Sequence, residues 1–422
     1  MKNWICAQIG AREHYAIPRV LQRLGMLKHF YTDFWAGTML QTLGALSGRS
    51  VLRTRFHNDL EKAKVTSFNA TTVLDSVFGD VLKKNPYDWF HYVGKDFGER
   101  IVGSLQRQKK INWKEIIFFG YDTGFFEPAQ WINQRGGKTI VCQMDPSRFE
   151  VDLVREEWKR WPSLAKKASD VPECYFKRRE AEWAVADLVM VNSEWTRQAL
   201  IRQGVKNDKI VVVPLAYEVD KHEGRGSRIE NNQDVAKSPL CTPFDARHPL
   251  RVLFLGQVIP RKGIQYLIEA ARLLSEEPIC FDVVGAIGIS DQAVASVPSN
   301  MTFHGPVSRD RSDEFYRSAD LFVLPTLSDG FALTQLEAMA HGLPVIATPN
   351  CGEVVTDRVD GMIVPASDPN ALAEAFQLIL QDCAQLKVMS KATKAKVEQF
   401  SLARLGENLT ALEQRLLSTE SA

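Results

Sequence analysis

Short apolar runs alternate with amphipathic stretches along this chain, and the alternation predicts strands and helices in turn. Residues 321–324 form an apolar run with the length and composition of a buried strand in a parallel sheet. A loop with Asp329 and Gly330 follows, then a helix-forming stretch over residues 332–341, and then a second apolar strand over residues 345–347. This order of strand, loop, helix and strand predicts an α/β fold with parallel sheets.

The loop of Asp329, Gly330 and Phe331 lies at the carboxyl end of a predicted strand and at the amino end of a predicted helix. Ligands of open α/β sheets bind at that edge, and the free N–H groups of a helix start attract phosphate. Glu337 follows Asp329 about two turns along the helix, so two acidic groups could meet the two ends of an extended, phosphate-containing ligand. Taken singly, Asp-Gly is also an ordinary turn and Glu337 a solvated helix residue. Spacing alone leaves both interpretations open.

The same alternation recurs through both halves of the chain. Further strands are predicted over residues 3–9, 116–120, 139–143, 188–191, 209–214, 251–256, 280–284 and 301–303. Further helices are predicted over residues 13–24, 97–108, 174–187, 194–203, 264–275, 309–318, 369–379, 385–399 and 402–417. Between residues 27 and 115 the strand signals are weak, and no topology is predicted there.

Length and composition divide the chain into two domains. At 422 residues it is long enough for two domains with separate cores. Over residues 221–249 the sequence is polar, rich in Gly, Pro, Ser, Asn and charge, and without periodicity, which is typical of a linker or surface excursion. We therefore predict a first α/β domain over residues 1–220, a second over residues 250–400, and a C-terminal helix within residues 401–422.

Charge and cysteine content exclude several classes of protein. The formal net charge is +1 and hydrophobic residues make up 45% of the chain, as in a soluble globular protein with no global attraction to nucleic acid. The seven cysteines are scattered, without a Cys-x-x-Cys pair, so neither a disulfide framework nor a zinc site is indicated. No apolar run reaches the roughly 18 residues of a membrane-spanning helix. We expect a cytoplasmic protein.

Residues 321–349 read LFVLPTLSDGFALTQLEAMAHGLPVIATP and closely resemble the donor-binding signature of the retaining GT-B glycosyltransferases of family 4, the group 1 glycosyltransferases. That signature has an acidic residue, Gly-Phe, five further residues and a Glu on the following helix, then Ala-Met-Ala and Gly-x-Pro-Val. The family usually has Glu where Asp329 stands and a second glycine where Ala332 stands. The resemblance implies two Rossmann-like domains whose parallel sheets face a cleft, the first binding the acceptor and the second a nucleotide sugar. It also implies that the C-terminal helix within residues 401–422 packs back on the first domain.

A second resemblance concerns the donor diphosphate. The family pattern is Gly-Arg, a few residues and then Lys-Gly, and its Arg and Lys hold the diphosphate. Lys262 and Gly263 match the second element, whereas Gln257 stands where the first Arg is expected. Arg261 is the candidate to supply the lost positive charge. The alternative is that Arg261 and Lys262 are merely solvated at a helix start, although a basic pair there opposes the helix dipole.

By resemblance, loops at the carboxyl ends of strands in both domains hold the donor. The glycine loop near the amino terminus faces the cleft, and the backbone of the segment after residue 303 holds the nucleobase edge. Asp329 holds sugar hydroxyls, and Glu337 holds the ribose hydroxyls. The implied donor-binding residues are Gly10, Gln257, Gly285, His304, Pro306, Val307, Gly330, Phe331, Ala332, Leu333 and Glu337.

The first domain departs from the family at the position of a catalytic histidine. In the family, the loop after the strand at residues 116–120 commonly carries a histidine near the anomeric carbon, and here Tyr121 and Asp122 stand there. Asp122 could replace the histidine as an electrostatic or acceptor-orienting group, or it could cap the next helix. His14 could also face the substrate, with a helix-surface role as its alternative. The predicted catalytic residues are Lys262, Asp329, Asp122 and Arg261.

The resemblance predicts a retaining glycosyltransferase that moves a sugar from a nucleotide-diphosphate sugar to an acceptor, which the sequence leaves open as a glycan, a lipid or a small molecule. No Asp-x-Asp motif occurs in the chain, so we expect positive side chains, and no metal, to stabilise the leaving diphosphate. We expect no cofactor beyond this co-substrate. Peripheral contact of the first domain with the inner face of the membrane stays open, and no nucleic-acid partner is expected.

Two other functions fit part of the pattern. A catalytically silent sugar-nucleotide-binding protein is the alternative, because Gln257 and the pair Tyr121 and Asp122 depart from the catalytic pattern. An NAD-dependent oxidoreductase with two Rossmann domains also fits the alternation of strands and helices. It is disfavoured because the chain lacks a Gly-x-Gly-x-x-Gly fingerprint followed by an acidic strand end.

Overall fold

The computed structural model describes residues 3–37, 54–69, 85–164, 170–218 and 243–418, and structural statements refer to these ranges. The predicted linker over residues 221–249 lies for the most part outside them. Two parallel sheets organise the described residues.

The first domain is built on seven parallel strands. They are β1 (Asn3–Gln8), β2 (Leu27–Thr32), β3 (Val65–Ser67), β4 (Ile116–Tyr121), β5 (Lys138–Gln143), β6 (Leu188–Val191) and β7 (Ile210–Val212). Its helices are α1 (Ala16–Arg23), α2 (Pro86–Gln106), α3 (Phe126–Asn133), α4 (Arg148–Arg160), α5 (Glu173–Val185) and α6 (Glu194–Arg202). In space the order is β3-β2-β1-β4-β5-β6-β7, so the order reverses between β1 and β4. Such a switch point opens a crevice at the carboxyl ends of the two strands.

The second domain repeats this plan with six parallel strands. They are β8 (Leu250–Leu255), β9 (Ile279–Val284), β10 (Met301–Gly305), β11 (Leu321–Leu324), β12 (Val345–Ala347) and β13 (Gly361–Ile363). Its helices are α7 (Ile264–Leu273), α8 (Asp291–Ala295), α9 (Arg309–Ser318), α10 (Leu333–Ala340), α11 (Pro369–Gln381) and α12 (Cys383–Glu398), and α13 (Leu402–Ser418) follows. The order β10-β9-β8-β11-β12-β13 places the second switch point between β8 and β11.

Central strands such as β4 are continuously apolar because helices cover both faces of the sheet. In β4, Ile117 and Phe119 belong to one hydrophobic core of the first domain, while Ile116 and Phe118 belong to the core on the opposite face. All six residues of β4 are buried. A strand buried on both sides therefore has an apolar run where a half-exposed strand would alternate.

The last helix, α13, packs on the first domain although it follows the second in sequence. Leu405, Leu409 and Leu412 recur at helical spacing and join the core that lies under α1. The indole Nε1 of Trp4 in β1 donates a buried hydrogen bond to Glu413 of this helix (2.9 Å). The end of the chain thereby connects the two domains.

Helix α4 makes the opposite crossing, from the first domain onto the second. Trp158 and Trp161 pack against the core of the second sheet. The carboxylate of Glu157 accepts hydrogen bonds from Gln265 Nε2 (3.0 Å) and Tyr266 Oη (2.7 Å), both in α7. The sequence analysis did not predict this helix.

One predicted helix begins later than expected. The apolar pattern predicted a helix over residues 13–24, but α1 begins at Ala16. Glu13, His14 and Tyr15 have φ values of 51°, 49° and 62°. A right-handed α-helix requires a φ of about −63°, so these three residues cannot belong to it. The short turn that results brings Glu13 to Tyr121 at the end of β4.

Candidate active site

The two switch points contribute to one cleft. In the first domain, Gly10 follows β1 and Asp122 follows β4, on either side of the crevice. In the second domain, Gln257 and Asp329 hold the corresponding places after β8 and β11. Contacts of the loop at residues 328–330 with the first domain join the two crevices.

Lys262 and Asp329 lie at the second switch point. The Lys262 Nζ forms an ion pair with the Asp329 carboxylate. The Arg261 Nη1 lies 4.0 Å from the nearer Asp329 oxygen and donates a hydrogen bond to the Ser328 carbonyl (3.2 Å). The three side chains are between 14% and 24% exposed. The residues predicted to hold the diphosphate and the sugar therefore lie together and remain accessible.

Gly263 allows this approach. Its φ is +75°, and a Cβ at this position would lie 1.8 Å from the carbonyl oxygen of Pro325. Only glycine fits such a contact without a shift of the backbone. The carbonyl of Arg261 also accepts from the Leu327 N–H (2.9 Å) and from the Thr326 hydroxyl (3.1 Å). The Lys-Gly element therefore fixes the basic pair against the loop that carries Asp329.

Gly330 lies where the two domains touch. A Cβ there would lie 1.8 Å from the Met144 carbonyl oxygen and 2.8 Å from the Asn192 Nδ2, both in the first domain. The adjacent Ser328 hydroxyl accepts a hydrogen bond from the Trp195 indole (3.0 Å). The glycine that the sequence presented as a turn residue is thus required for close contact between domains.

Glu337 faces a cavity of about 120 Å³ between the domains. The Tyr316 hydroxyl donates to one of its carboxylate oxygens (2.9 Å). Glu13 and Arg19 of the first domain line the same cavity, as does Leu333 at the start of α10. Hydrogen-bond acceptors from both domains therefore converge on a space next to the start of α10.

Phe331 and Ala332 serve the core rather than an open surface. They are 7% and 5% exposed, and the Phe331 ring packs against the backbone of Gly352 and the ring of Phe400. The Ala332 N–H donates to the Cys351 carbonyl (3.1 Å), so it is not available to a phosphate. Of the predicted donor residues in this segment, Leu333 and Glu337 reach the cavity.

The predicted nucleobase segment lies at the end of β10. The His304 Nε2 lies 2.7 Å from an Asp282 carboxylate oxygen on the neighbouring strand, so its side chain is engaged within the protein. Pro306 is exposed and Val307 is half-buried at the core of the second domain. Because the His304 side chain is bonded to Asp282, the backbone of residues 304–307 is the part of this segment that a ligand could contact.

Two further predicted donor residues follow strand ends in the second domain. Gly285 has φ +144°, and its Cβ would meet the Gly256 carbonyl oxygen at 1.8 Å, so this turn also requires glycine. Gln257 is exposed just after β8.

Asp122 is buried in an ion-pair cluster and does not cap a helix. Its carboxylate lies 2.7 Å from the Arg179 guanidinium and 3.5 Å from that of Arg12. The cap position of α3 is held by Phe125, without a side-chain hydrogen bond. Although burial lowers the pKa of Arg179, Asp145 and Asp122 raise it well above its ordinary value. The capping alternative is therefore wrong, and Asp122 belongs to a charge network in the floor of the first crevice.

The Gly10 turn is tied to its own domain. The Gly10 N–H donates to an Asp33 carboxylate oxygen (2.8 Å), so it is not available to a phosphate. Beyond the turn, His14 is exposed and lines the cavity of Glu337. Glu13 accepts a hydrogen bond from the Tyr121 hydroxyl (3.0 Å), and desolvation raises its pKa to about 7.

Several residues of this site were not predicted from the sequence. Glu150 of α4 lies 3.5 Å from Arg261 and accepts a hydrogen bond from Ser328 (2.8 Å). Asp145 lies 2.8 Å from Arg179. The residues of α4 carry a signal that could have located the helix, because Val151, Val154 and Trp158 recur at helical spacing.

Comparisons with known proteins identify the family. The family model described as glycosyl transferases group 1 matches residues 249–382. The chain is 30% identical to D-inositol 3-phosphate glycosyltransferase of Xylanimonas cellulosilytica over 310 aligned residues. The alignment covers 70% of each protein. The chain belongs to the group 1 glycosyltransferases. Membership of the group 1 glycosyltransferases, predicted from the signature at residues 321–349, is thereby confirmed.

Solved structures confirm the fold of this group 1 glycosyltransferase. Sucrose-phosphate synthase from Thermosynechococcus elongatus aligns with a TM-score of 0.63 and 18% identity over 99% of this chain and 100% of that one. Anabaena Alr3699/HepE in complex with UDP-glucose aligns with a TM-score of 0.55 and 12% identity over 99% and 100% of the two chains. At these identities the likeness shows the fold alone, which is GT-B with two Rossmann-like domains.

Proposed function

We propose that this glycosyltransferase belongs to family 4 and transfers a sugar from a nucleotide-diphosphate sugar to an acceptor hydroxyl with retention of anomeric configuration. The observation that carries the proposal is the grouping of Lys262, Arg261 and Asp329 at the switch point of the second sheet. In the reaction the bond from the sugar C1 to the diphosphate oxygen breaks, C1 bonds to the acceptor oxygen, and the proton of the acceptor hydroxyl passes to the departing diphosphate. Charge develops on the diphosphate, where fixed cations stabilise it most.

In this proposal, different residues bind the diphosphate, the sugar and the ribose of the donor. Lys262 and Arg261 neutralise the leaving diphosphate. Asp329 exchanges its contact with Lys262 for hydrogen bonds from sugar hydroxyls. Glu337 accepts hydrogen bonds from the ribose.

We infer that neither a divalent metal nor a further cofactor is needed. Two cationic side chains lie at the proposed diphosphate site and supply the charge that a metal would bring. Dialysis against a chelator should leave transfer unchanged. Loss of transfer that is restored by Mg²⁺ or Mn²⁺ would contradict the inference.

Donor and stereochemistry are tested together. Since the Anabaena structure contains UDP-glucose, that compound is the first donor to examine, beside GDP and ADP sugars, by thermal shift and then by turnover on a panel of glycan, lipid and small-molecule acceptors. We expect one donor to stabilise the protein and to give an α-linked product by NMR from an α-linked donor. A β-linked product would contradict retention. Binding without transfer or donor hydrolysis would favour the silent sugar-nucleotide-binding alternative.

The ribose role of Glu337 has its own test. Glu337→Ala should weaken nucleotide binding by about tenfold in calorimetry, because ribose hydroxyls lose a charged acceptor. Glu374→Ala, which removes an exposed carboxylate from α11, is the matched control. Equal affinity of Glu337→Ala and the control would remove Glu337 from the nucleotide site.

We infer that the protein is cytoplasmic. We further infer that any peripheral contact with the inner face of a membrane is made by α2 of the first domain. Phe90 and Tyr92 of this helix are 51% and 52% exposed. No helix in the described ranges has the length and apolar character that a membrane crossing requires. Phe90→Ala with Tyr92→Ala should lower co-sedimentation with anionic vesicles, and Val388→Ala, an exposed residue of α12, should not. Equal sedimentation of all variants would contradict the inference.

A further inference from the structure

Glu150 reaches across the domain boundary to the proposed diphosphate site. It lies in the first turn of α4, and its side chain is 15% exposed. Its carboxylate accepts a hydrogen bond from the Ser328 hydroxyl (2.8 Å), the same hydroxyl to which the Trp195 indole donates (3.0 Å). The Arg261 guanidinium lies 3.5 Å away. Two residues of the first domain therefore hold the loop that precedes Asp329.

In the free protein, one nitrogen of the Arg261 guanidinium lies within 4.0 Å of oxygen atoms from three residues. Its Nη1 lies 3.5 Å from Glu150, 4.0 Å from Asp329 and 3.2 Å from the Ser328 carbonyl oxygen. A diphosphate brings at least two further negative charges to the same guanidinium. Among the described residues, Arg261 is the cation that pairs with Glu150, so Glu150 loses its counter-charge when Arg261 turns to the diphosphate, whereas Asp329 gains the proposed hydrogen bonds from the sugar.

The groups that face Glu150 come from every element around it. Arg261 and Asp329 approach from the second domain, Asp145 precedes α4 in the first, and the hydroxyl of Tyr87 in α2 lies within reach of its charge. Burial raises the pKa of Glu150 to about 7, with Arg261 opposing the shift and Asp145 and Asp329 adding to it. Near neutral pH this carboxyl can therefore accept a proton from solvent.

We propose that Glu150 is a positioning residue that holds Arg261 and Ser328 for the donor and takes up one proton when the diphosphate binds. This inference rests on the proposed function, since it requires a diphosphate beside Arg261. The proton comes from water or buffer, and no covalent bond of the donor changes in this step. Neutralised Glu150 still accepts the Ser328 hydrogen bond while Arg261 faces the phosphate.

Proton uptake makes donor affinity depend on pH with a defined sign. The diphosphate disfavours a nearby carboxylate, so the pKa of Glu150 rises further in the complex. Donor affinity is then highest below the pKa of the free protein, about 7, and falls as pH rises above it. UDP-glucose is a suitable probe because its diphosphate diester does not titrate in this range.

Calorimetry of UDP-glucose binding between about pH 6 and about pH 8.5, in two buffers of different ionisation enthalpy, tests the inference. The wild type should take up protons and lose about tenfold in affinity over this range. Glu150→Gln should show neither effect, and Glu156→Gln, which removes an exposed carboxylate from the same helix, should match the wild type. A wild-type slope retained in Glu150→Gln, or a flat wild-type profile with binding present, would overturn the role of Glu150 alone.

Turnover separates positioning from a purely structural effect. Glu150→Ala should lower kcat by about tenfold, because Arg261 loses its partner Glu150 and Ser328 keeps only Trp195 in the first domain. Glu150→Gln should recover part of that loss. Equal turnover of wild type and Glu150→Ala would contradict the positioning role.

Unfolding measurements test the titration without a donor. The difference in free energy of unfolding between Glu150→Gln and the wild type should grow as pH rises from 4.5 to about 7 and level off above that. A constant difference would contradict the titration of Glu150. If no nucleotide sugar binds at any pH, the proposed function fails, and the inference fails with it.

Discussion

The Lys262 ammonium and the Asp329 carboxylate form an ion pair at the carboxyl ends of β8 and β11. Each is the proposed partner of a different part of the donor, the diphosphate for Lys262 and the sugar for Asp329. In the free protein they neutralise each other, which stabilises two partly buried charges until a ligand replaces the contact. We therefore expect donor binding to replace the Lys262–Asp329 ion pair by a contact of Lys262 with the diphosphate and a contact of Asp329 with the sugar.

Removal of the Lys262 charge should affect turnover far more than folding. Lys262→Ala should lower kcat by roughly 100-fold or more, because a cation that stabilises the leaving diphosphate is lost. Lys262→Arg, which keeps the charge, should retain part of the activity. Steady-state kinetics and thermal unfolding of both variants check this. Unchanged donor affinity and turnover in Lys262→Ala would show that the diphosphate is held elsewhere.

Gly330 should control the approach of the two domains. In Gly330→Ala the new Cβ would clash with the Met144 carbonyl oxygen, from which it would lie 1.8 Å, so the domains must separate. We expect a larger radius of gyration by small-angle scattering and a clear loss of kcat. Gly103→Ala is the matched control, because a Cβ there has open space and favours the helix α2. The same radius for both variants would contradict this contact.

Asp122 should contribute to stability through Arg179. Asp122→Asn removes one of two carboxylates from a buried guanidinium and should lower the free energy of unfolding by about 3 kcal/mol. Asp152→Asn, at an exposed pair on α4, should cost little. Urea unfolding measures both. If Asp122→Asn is as stable as the wild type but loses turnover, its role is catalytic and the ion-pair account of this residue is wrong.

Glu13 should make stability depend on pH. Desolvation raises its pKa to about 7 in the folded protein, above the ordinary value of 4.5, so the folded state favours the protonated form. The contribution of Glu13 to stability therefore falls as pH rises from 4.5 to about 7. Glu13→Gln should be more stable than the wild type by about 2 kcal/mol at high pH and equal to it near about pH 4. A difference independent of pH would contradict the titration of Glu13.

Strands buried on both faces were the most predictable elements. Residues 321–324, 188–191 and 345–347 were predicted with the bounds that the structure has, because such strands are continuous apolar runs between polar loops. The helix predicted over residues 194–203 is also present as α6, and the Ser193 hydroxyl caps it by accepting from the Thr196 N–H (3.2 Å). In these cases local sequence and tertiary structure act in the same direction.

The contacts between domains could not be predicted in this way. The pairing of Glu150 with Arg261 joins residues far apart in sequence, and no local pattern specifies it. Asp122 shows the same limit, because the sequence left a helix cap and an electrostatic role open and distant Arg179 decided between them. The turn over residues 13–15 has left-handed backbone without glycine, which requires support from the surrounding fold.

The most direct test of the account is a crystal structure of the protein with UDP-glucose or a non-hydrolysable analogue bound. The account predicts that the Lys262–Asp329 ion pair opens and that the Lys262 Nζ lies about 3 Å from a diphosphate oxygen, with Asp329 on the sugar and Glu337 on the ribose. A nucleotide sugar bound away from this switch point, with Lys262 still paired to Asp329, would contradict the central claim.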